Sequence, residues 1–199
     1  MTEPAQRPAG IAIVVGSLVS VFAMGHHPSV SSGGTEAVAE AAREAAVAGV
    51  VHGGLIAMMV AMAYGLWVFA ERLGLSAGIV RLGAVSYVLG LGAMLGATLI
   101  SGFIVPGLSN HYAGGGADLG TMEAARHLMT FGFVANQVLA KLGAVATSAA
   151  IVLWSVRLAG RAGANRAIGW FGMALGAELA ALLLGGYLRL DVEGRRAVV

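Results

Sequence analysis

Residues 45–70 read AAVAGVVHGGLIAMMVAMAYGLWVFA, without a single Asp, Glu, Lys or Arg. A hydrocarbon core about 30 Å thick needs roughly 20 apolar residues in a helix rising about 1.5 Å per residue. The stretch therefore predicts a membrane-crossing helix. A barrel strand needs only about 9 to 11 residues and alternates in polarity, which this run does not do. A soluble amphipathic helix would show a polar face, and none is present.

Four further apolar runs flank it, at 9–24, 82–105, 128–156 and 167–188. Together they predict an all-α fold: a polytopic membrane protein, a five-helix transmembrane bundle forming one domain over residues 1–199. Composition agrees. Of 199 residues, 58% are hydrophobic and 11% charged, against roughly 25% charged in soluble domains. The 31 glycines suit membrane helices, whose backbones pack closely. Gly49 and Gly53, Gly92 and Gly96, and Gly172 and Gly176 are each four apart and are expected to line packed faces. The absence of cysteine excludes disulfides, thiolate metal sites and covalent CxxCH haem. Net charge is only +2, and no basic stripe interleaved with aromatics points to nucleic acid.

The first run has a second reading. Arg7 precedes it, and Ala23-Met24-Gly25 resembles a signal-peptide cleavage site. Cleavage there would leave His26 as a copper-chelating amino terminus. Retention as a crossing is the expectation.

Arginine placement orients the chain. Arg72, Arg81, Arg157, Arg161 and Arg166 fall in the two links at one end of the bundle. Arg43 and Arg126 lie at the other end, beside Glu36, Glu40, Glu44, Asp118 and Glu123. This predicts an integral protein of the plasma (inner) membrane with a cytoplasmic amino terminus. Arg189, Arg195 and Arg196 in the tail run against that bias. The outer link contains the flexible Ser31-Ser32-Gly33-Gly34, then Thr35 as a candidate N-cap. A helical extension from Thr35 would continue into the second crossing, about 54 Å in all.

Chain reversal brings all five histidines to the outer end. His26 and His27 follow the first run, His52 lies early in the second, His111 follows the third and His127 opens the fourth. Imidazole suits zinc, copper and iron. The expectation is a metal site on the non-cytoplasmic face drawn from His26, His27, His52, His111, His127 and Glu123. Its cofactor would be a copper or zinc ion, or haem b held by His52 and His127, with a redox or electron-transfer role. Glu123 and His127 share a helix face at i, i+4. His52 is the most informative of the set, because an ionisable side chain in an apolar helix needs an interior partner. That partner is either a metal or a hydrogen bond to Ser, Thr or a backbone carbonyl.

Lys141 and Glu178 lie deep in the fourth and fifth runs, roughly 24 Å and 18 Å from the inner ends. They predict a buried ion pair, with Asn136 and Gln137 extending a polar track outward. Such a pair would serve as a proton or ion relay, or as a helix staple. A small transporter or channel built on it is the alternative function. An accessory subunit of a larger membrane complex, or a homo-oligomer, is the third. No H-E-x-x-H, G-x-S-x-G, P-loop or dinucleotide fingerprint occurs, so no catalytic reaction is assigned.

Overall fold

A computed structural model describes residues 6–26, 36–113 and 118–187. Among them the chain is all-helical. Helix α1 spans Gln6–Gly25, α2 Glu36–Leu73 and α3 Gly78–Leu99. A π-helical turn, Ile100–Ile104, joins α3 without a break to α4, Val105–Ala113. Helix α5 spans Leu119–Ala159 and α6 Ala164–Leu184. These make five helical spans long and apolar enough to cross a membrane. Four of the expected runs fall wholly on them; the fifth, 167–188, runs past the end of α6 at Leu184. His27, Ser31, Ser32, Gly33, Gly34, Thr35 and the tail arginines lie outside the described residues.

The forecast helical extension is present as the first turns of α2. Helix α5 is likewise longer than its apolar run, because Asp118 caps it ahead of that run. The Asp118 carboxylate accepts a 2.7 Å hydrogen bond from the Thr121 amide. That bond holds the carboxyl below its usual range. The cap is therefore ionised at neutral pH, and its contribution is lost only as pH falls through that lowered value.

The helices pack antiparallel through glycine contacts. A methyl group at Gly90 of α3 would lie 2.6 Å from Thr147 Oγ1 and 2.9 Å from the Gly143 carbonyl of α5. Gly83 makes room for Trp154 in the same way. Gly172 and Gly176 of α6 face Ser155, Ser148 and Val152 of α5. Gly65 of α2 receives the Ala9 carbonyl and Ile13, and Gly16 of α1 receives Met62. The expected glycine pairs hold only in part. Gly92 faces open space, and Gly49 and Gly53 approach only the Phe103 ring at 4.0 Å.

Helices α2, α3 and α5 form the centre. Among the described residues, helix α1 packs on α2 alone and α6 on α5 alone. Two buried clusters result. At the arginine-rich end, Ala70, Leu73, Val80, Tyr87 and Trp154 pack together. Trp154 is 3% exposed and donates a 3.2 Å hydrogen bond to the Val80 carbonyl. It is a core residue although it lies near the end of its run. Trp67, Trp170 and Tyr187 are exposed, as anchors are. At the histidine end, Val38, Ala41, Val105, Ala125 and Met129 form a second core. It ties the extended turns of α2 and α5 to α4. The arginine-end turns need glycine at Gly74 (φ 96°) and Gly163 (φ 67°), and Arg161 donates to the Arg72 carbonyl there at 3.3 Å.

Replacing Gly90 by alanine is expected to force α3 and α5 apart and to cost roughly 1–3 kcal/mol. Thermal unfolding in detergent micelles measures it; an unchanged midpoint would contradict this packing.

Candidate functional site

The third run was expected to end at Val105, with a link starting at Pro106. The helix instead continues through Pro106 to Ala113. A proline inside a helix brings no amide hydrogen, and its ring crowds the carbonyl four residues back. That residue is Gly102. The ladder resets here: the Val105 amide donates to the Ile100 carbonyl, five residues back. This widened turn is a π-bulge.

His52 of α2 packs against that bulge. It is 2% exposed, the only buried histidine among the described residues. Gly102 is the reason it fits, because a methyl group there would fall on the His52 Cβ and Cγ. His52 Nδ1 lies 2.7 Å from the Ala48 carbonyl oxygen. A carbonyl only accepts, so Nδ1 carries the hydrogen. Nε2 lies 3.0 Å from Ser101 Oγ. Ser101 Oγ is also 3.0 Å from the Ala97 carbonyl oxygen. In the neutral ring, Ser101 donates its hydroxyl hydrogen to Nε2. In the imidazolium, Nε2–H donates to Oγ, and the hydroxyl turns to the Ala97 carbonyl. The arrangement satisfies both protonation states.

Gly96 faces Leu139, and Gly132 faces Val105 and Ile100. Asn136 therefore sits on the α3-facing side of α5 near the bulge. Both Asn136 and Gln137 are half-buried.

Among the described residues the other histidines are not gathered around His52. His26 is exposed, with Nδ1 donating to the Phe22 carbonyl at 2.9 Å and its ring against Phe22. His111 is exposed beside Tyr112. The His127 side chain is 68% exposed, its Nε2 3.4 Å from Glu123 Oε1. Glu123 is already engaged by Arg126 at 2.5 Å and 3.1 Å. Among the described residues no three His, Asp or Glu side chains converge on a point that could hold a metal ion. Sharing one end of the bundle did not bring these rings together.

Lys141 and Glu178 are both exposed, and no ion pair joins them among the described residues. The expected buried pair is not formed within the chain. The reason is helical phase. Gly176 faces Ser148 of α5, and Glu178 follows it by two residues, about 200° around the helix. Its side chain leaves on the side away from α5.

Sequence reasoning missed Ser101 and Gly102. The available signal was Gly102 four residues before Pro106, at a depth in the third run similar to that of His52 in the second. No family model, curated protein or solved structure matches the chain.

Substituting Gly102 by alanine is expected to push His52 away from Ser101 and to cost about 1–3 kcal/mol. Thermal unfolding together with the His52 ring-nitrogen chemical shifts reads both effects. Wild-type shifts in a folded variant would contradict the contact.

Proposed function

We propose that this is a five-span integral membrane protein that takes up and releases protons at His52, as a small proton-coupled transporter or proton relay. The arginine bias supports a plasma-membrane orientation with the amino terminus in the cytoplasm and the histidine end outside. The observation that carries the reading is the His52–Ser101 contact at the π-turn. An imidazole there is shielded from water, yet its hydrogen bonds are complete with or without the second proton. A purely structural staple needs only one of those states. Histidine is also the side chain that changes charge in the physiological pH range, and ionisable groups inside membrane helices mark proton and substrate paths. The relay no longer runs through a Lys141–Glu178 pair. Asn136 and Gln137 on α5 supply neutral polar groups at the level of His52 instead.

The alternative of a copper, zinc or haem b centre draws its support from Glu123 and His127, which face each other at 3.4 Å. Metal analysis and an absorption spectrum of the purified protein separate the two readings. Stoichiometric metal or a Soret band, lost on replacing His127, would favour the metal centre.

The proton reading is tested by labelling the ring nitrogens and following His52 in lipid nanodiscs from about pH 5 to about pH 8. The expected outcome is a reversible change in protonation of His52 within that range. It should be accompanied by altered amide exchange over residues 97–105, and His52→Gln should abolish that alteration. A ring that keeps one protonation state throughout would overturn the reading.

A further inference from the structure

Each span carries an arginine at one end and a polar or aromatic side chain about 20 residues away, roughly 30 Å, which is the thickness of the hydrocarbon core. His52 precedes Arg72, Ser101 follows Arg81 and Gln137 precedes Arg157 by that interval. His26 follows Arg7, and Tyr187 follows Arg166, by nearly the same. Helix contacts give a similar level for the two outer helices. Gly65 receives Ala9 and Ile13 while Gly16 receives Met62, so α1 ends beside the turn of α2 that carries His52. Gly169 meets Ala159 and Gly176 meets Ser148, so α6 ends beside the turn of α5 that carries Lys141. The first turns of α2 and α5 rise beyond both ends by roughly 25 Å, and α4 packs with them. They carry Glu36, Arg43, Glu44, Glu123, Arg126 and His127. Lys141 lies only about four residues inside the outer plane, and its flexible stem brings the ammonium to that plane. Apart from Glu71 beside Arg72, Glu178 is then the one enclosed charge among the described residues.

We infer that the hydrocarbon ends at the level of His52 and Ser101, that the first turns of α2 and α5 stand in water with α4 as a head, and that His52 exchanges its proton with the aqueous phase on the head side. The last step rests on the proton reading of His52; the position of the hydrocarbon does not. The titratable groups around His52 favour the head side. On α2 they are Glu44, about 12 Å toward the head, and Tyr64, about 18 Å toward the arginines. On α3 the nearest is Tyr87, about 21 Å toward the arginines, and the π-turn and α4 offer none before His111. Helix α1 brings His26 at its end. On α5, His127 stands in the head, and Lys141 lies on the stripe of Ser148 and Ser155 that faces α6. A proton arriving along α2 from the arginine end must cross about 18 Å of helix without a titratable side chain.

The chain has no cysteine, so single cysteines report one position at a time. Val47→Cys and Phe131→Cys mark exposed positions in the head, and Val60→Cys and Val88→Cys mark exposed positions in the spans. In lipid nanodiscs the first pair should react with a membrane-impermeant maleimide at least about tenfold faster than the second, a difference of about 1.4 kcal/mol in barrier. Equal protection of all four would overturn the position of the hydrocarbon. For the proton, Ile104→Cys carries an environment-sensitive fluorophore at the π-turn in proteoliposomes of known sidedness. Acid added on the head side should change its emission within the mixing time, and His52→Gln should remove that change. Acid on the arginine side should act only as the gradient collapses. An immediate response to the arginine side would overturn the access claim. Response to neither side would overturn it together with the proton reading, while the labelling pattern decides the hydrocarbon level on its own.

Discussion

An imidazole inside an apolar helix must find its hydrogen-bond partners within the protein, because water is not there to supply them. His52 meets this constraint through Ala48 on its own helix and Ser101 on the neighbouring one. The second contact depends on local backbone features. Pro106 disturbs the helix ladder, the π-turn widens it, and Gly102 leaves space where a side chain would collide with the ring. Proline, glycine and serine within six residues thus create one receptor for one histidine. The same turn joins α3 to α4 and so shapes the histidine-end core, in which Val105 packs with Val38, Ala125 and Met129.

The two buried clusters divide the work of holding the bundle. The arginine-end cluster is built on an aromatic group, Trp154 with Phe69 and Tyr87, and on glycine contacts that bring α3 and α5 close. The histidine-end cluster is smaller and is closed by α4. His52 lies near the junction, where α2 meets the π-turn. A change in the hydrogen bonding of His52 is therefore placed to alter how α2 and α4 sit against each other. Such an alteration would be the physical content of the proposed proton-coupled step.

The spans were legible because long apolar runs with at most one interior charge leave a chain few options. His52 and Ser101, at similar depths in the second and third runs, do meet. Azimuth was what the sequence hid. Lys141 and Glu178 have depths that a lysine stem can bridge, but Glu178 turns away from α5, so depth alone produced a pair that the chain does not form. The described histidines are a second case. Chain reversal sent His26, His111 and His127 to one end, yet the ends of three helices cover a wide area, and each ring settled against its own neighbours. Pro106 read as the start of a link because proline usually ends helices. Gly102, four residues earlier, removes the side chain there, and the π-turn absorbs the proline's missing amide.

The central claim is that His52 and Ser101 act as one unit across two helices. A double-mutant cycle tests it most directly, with His52→Ala, Ser101→Ala and the double variant compared by reversible unfolding in mixed micelles. The account predicts a coupling energy of roughly 0.6 to 1.7 kcal/mol, the range of hydrogen bonds between membrane helices. Losses that simply add, with no coupling beyond error, would contradict it.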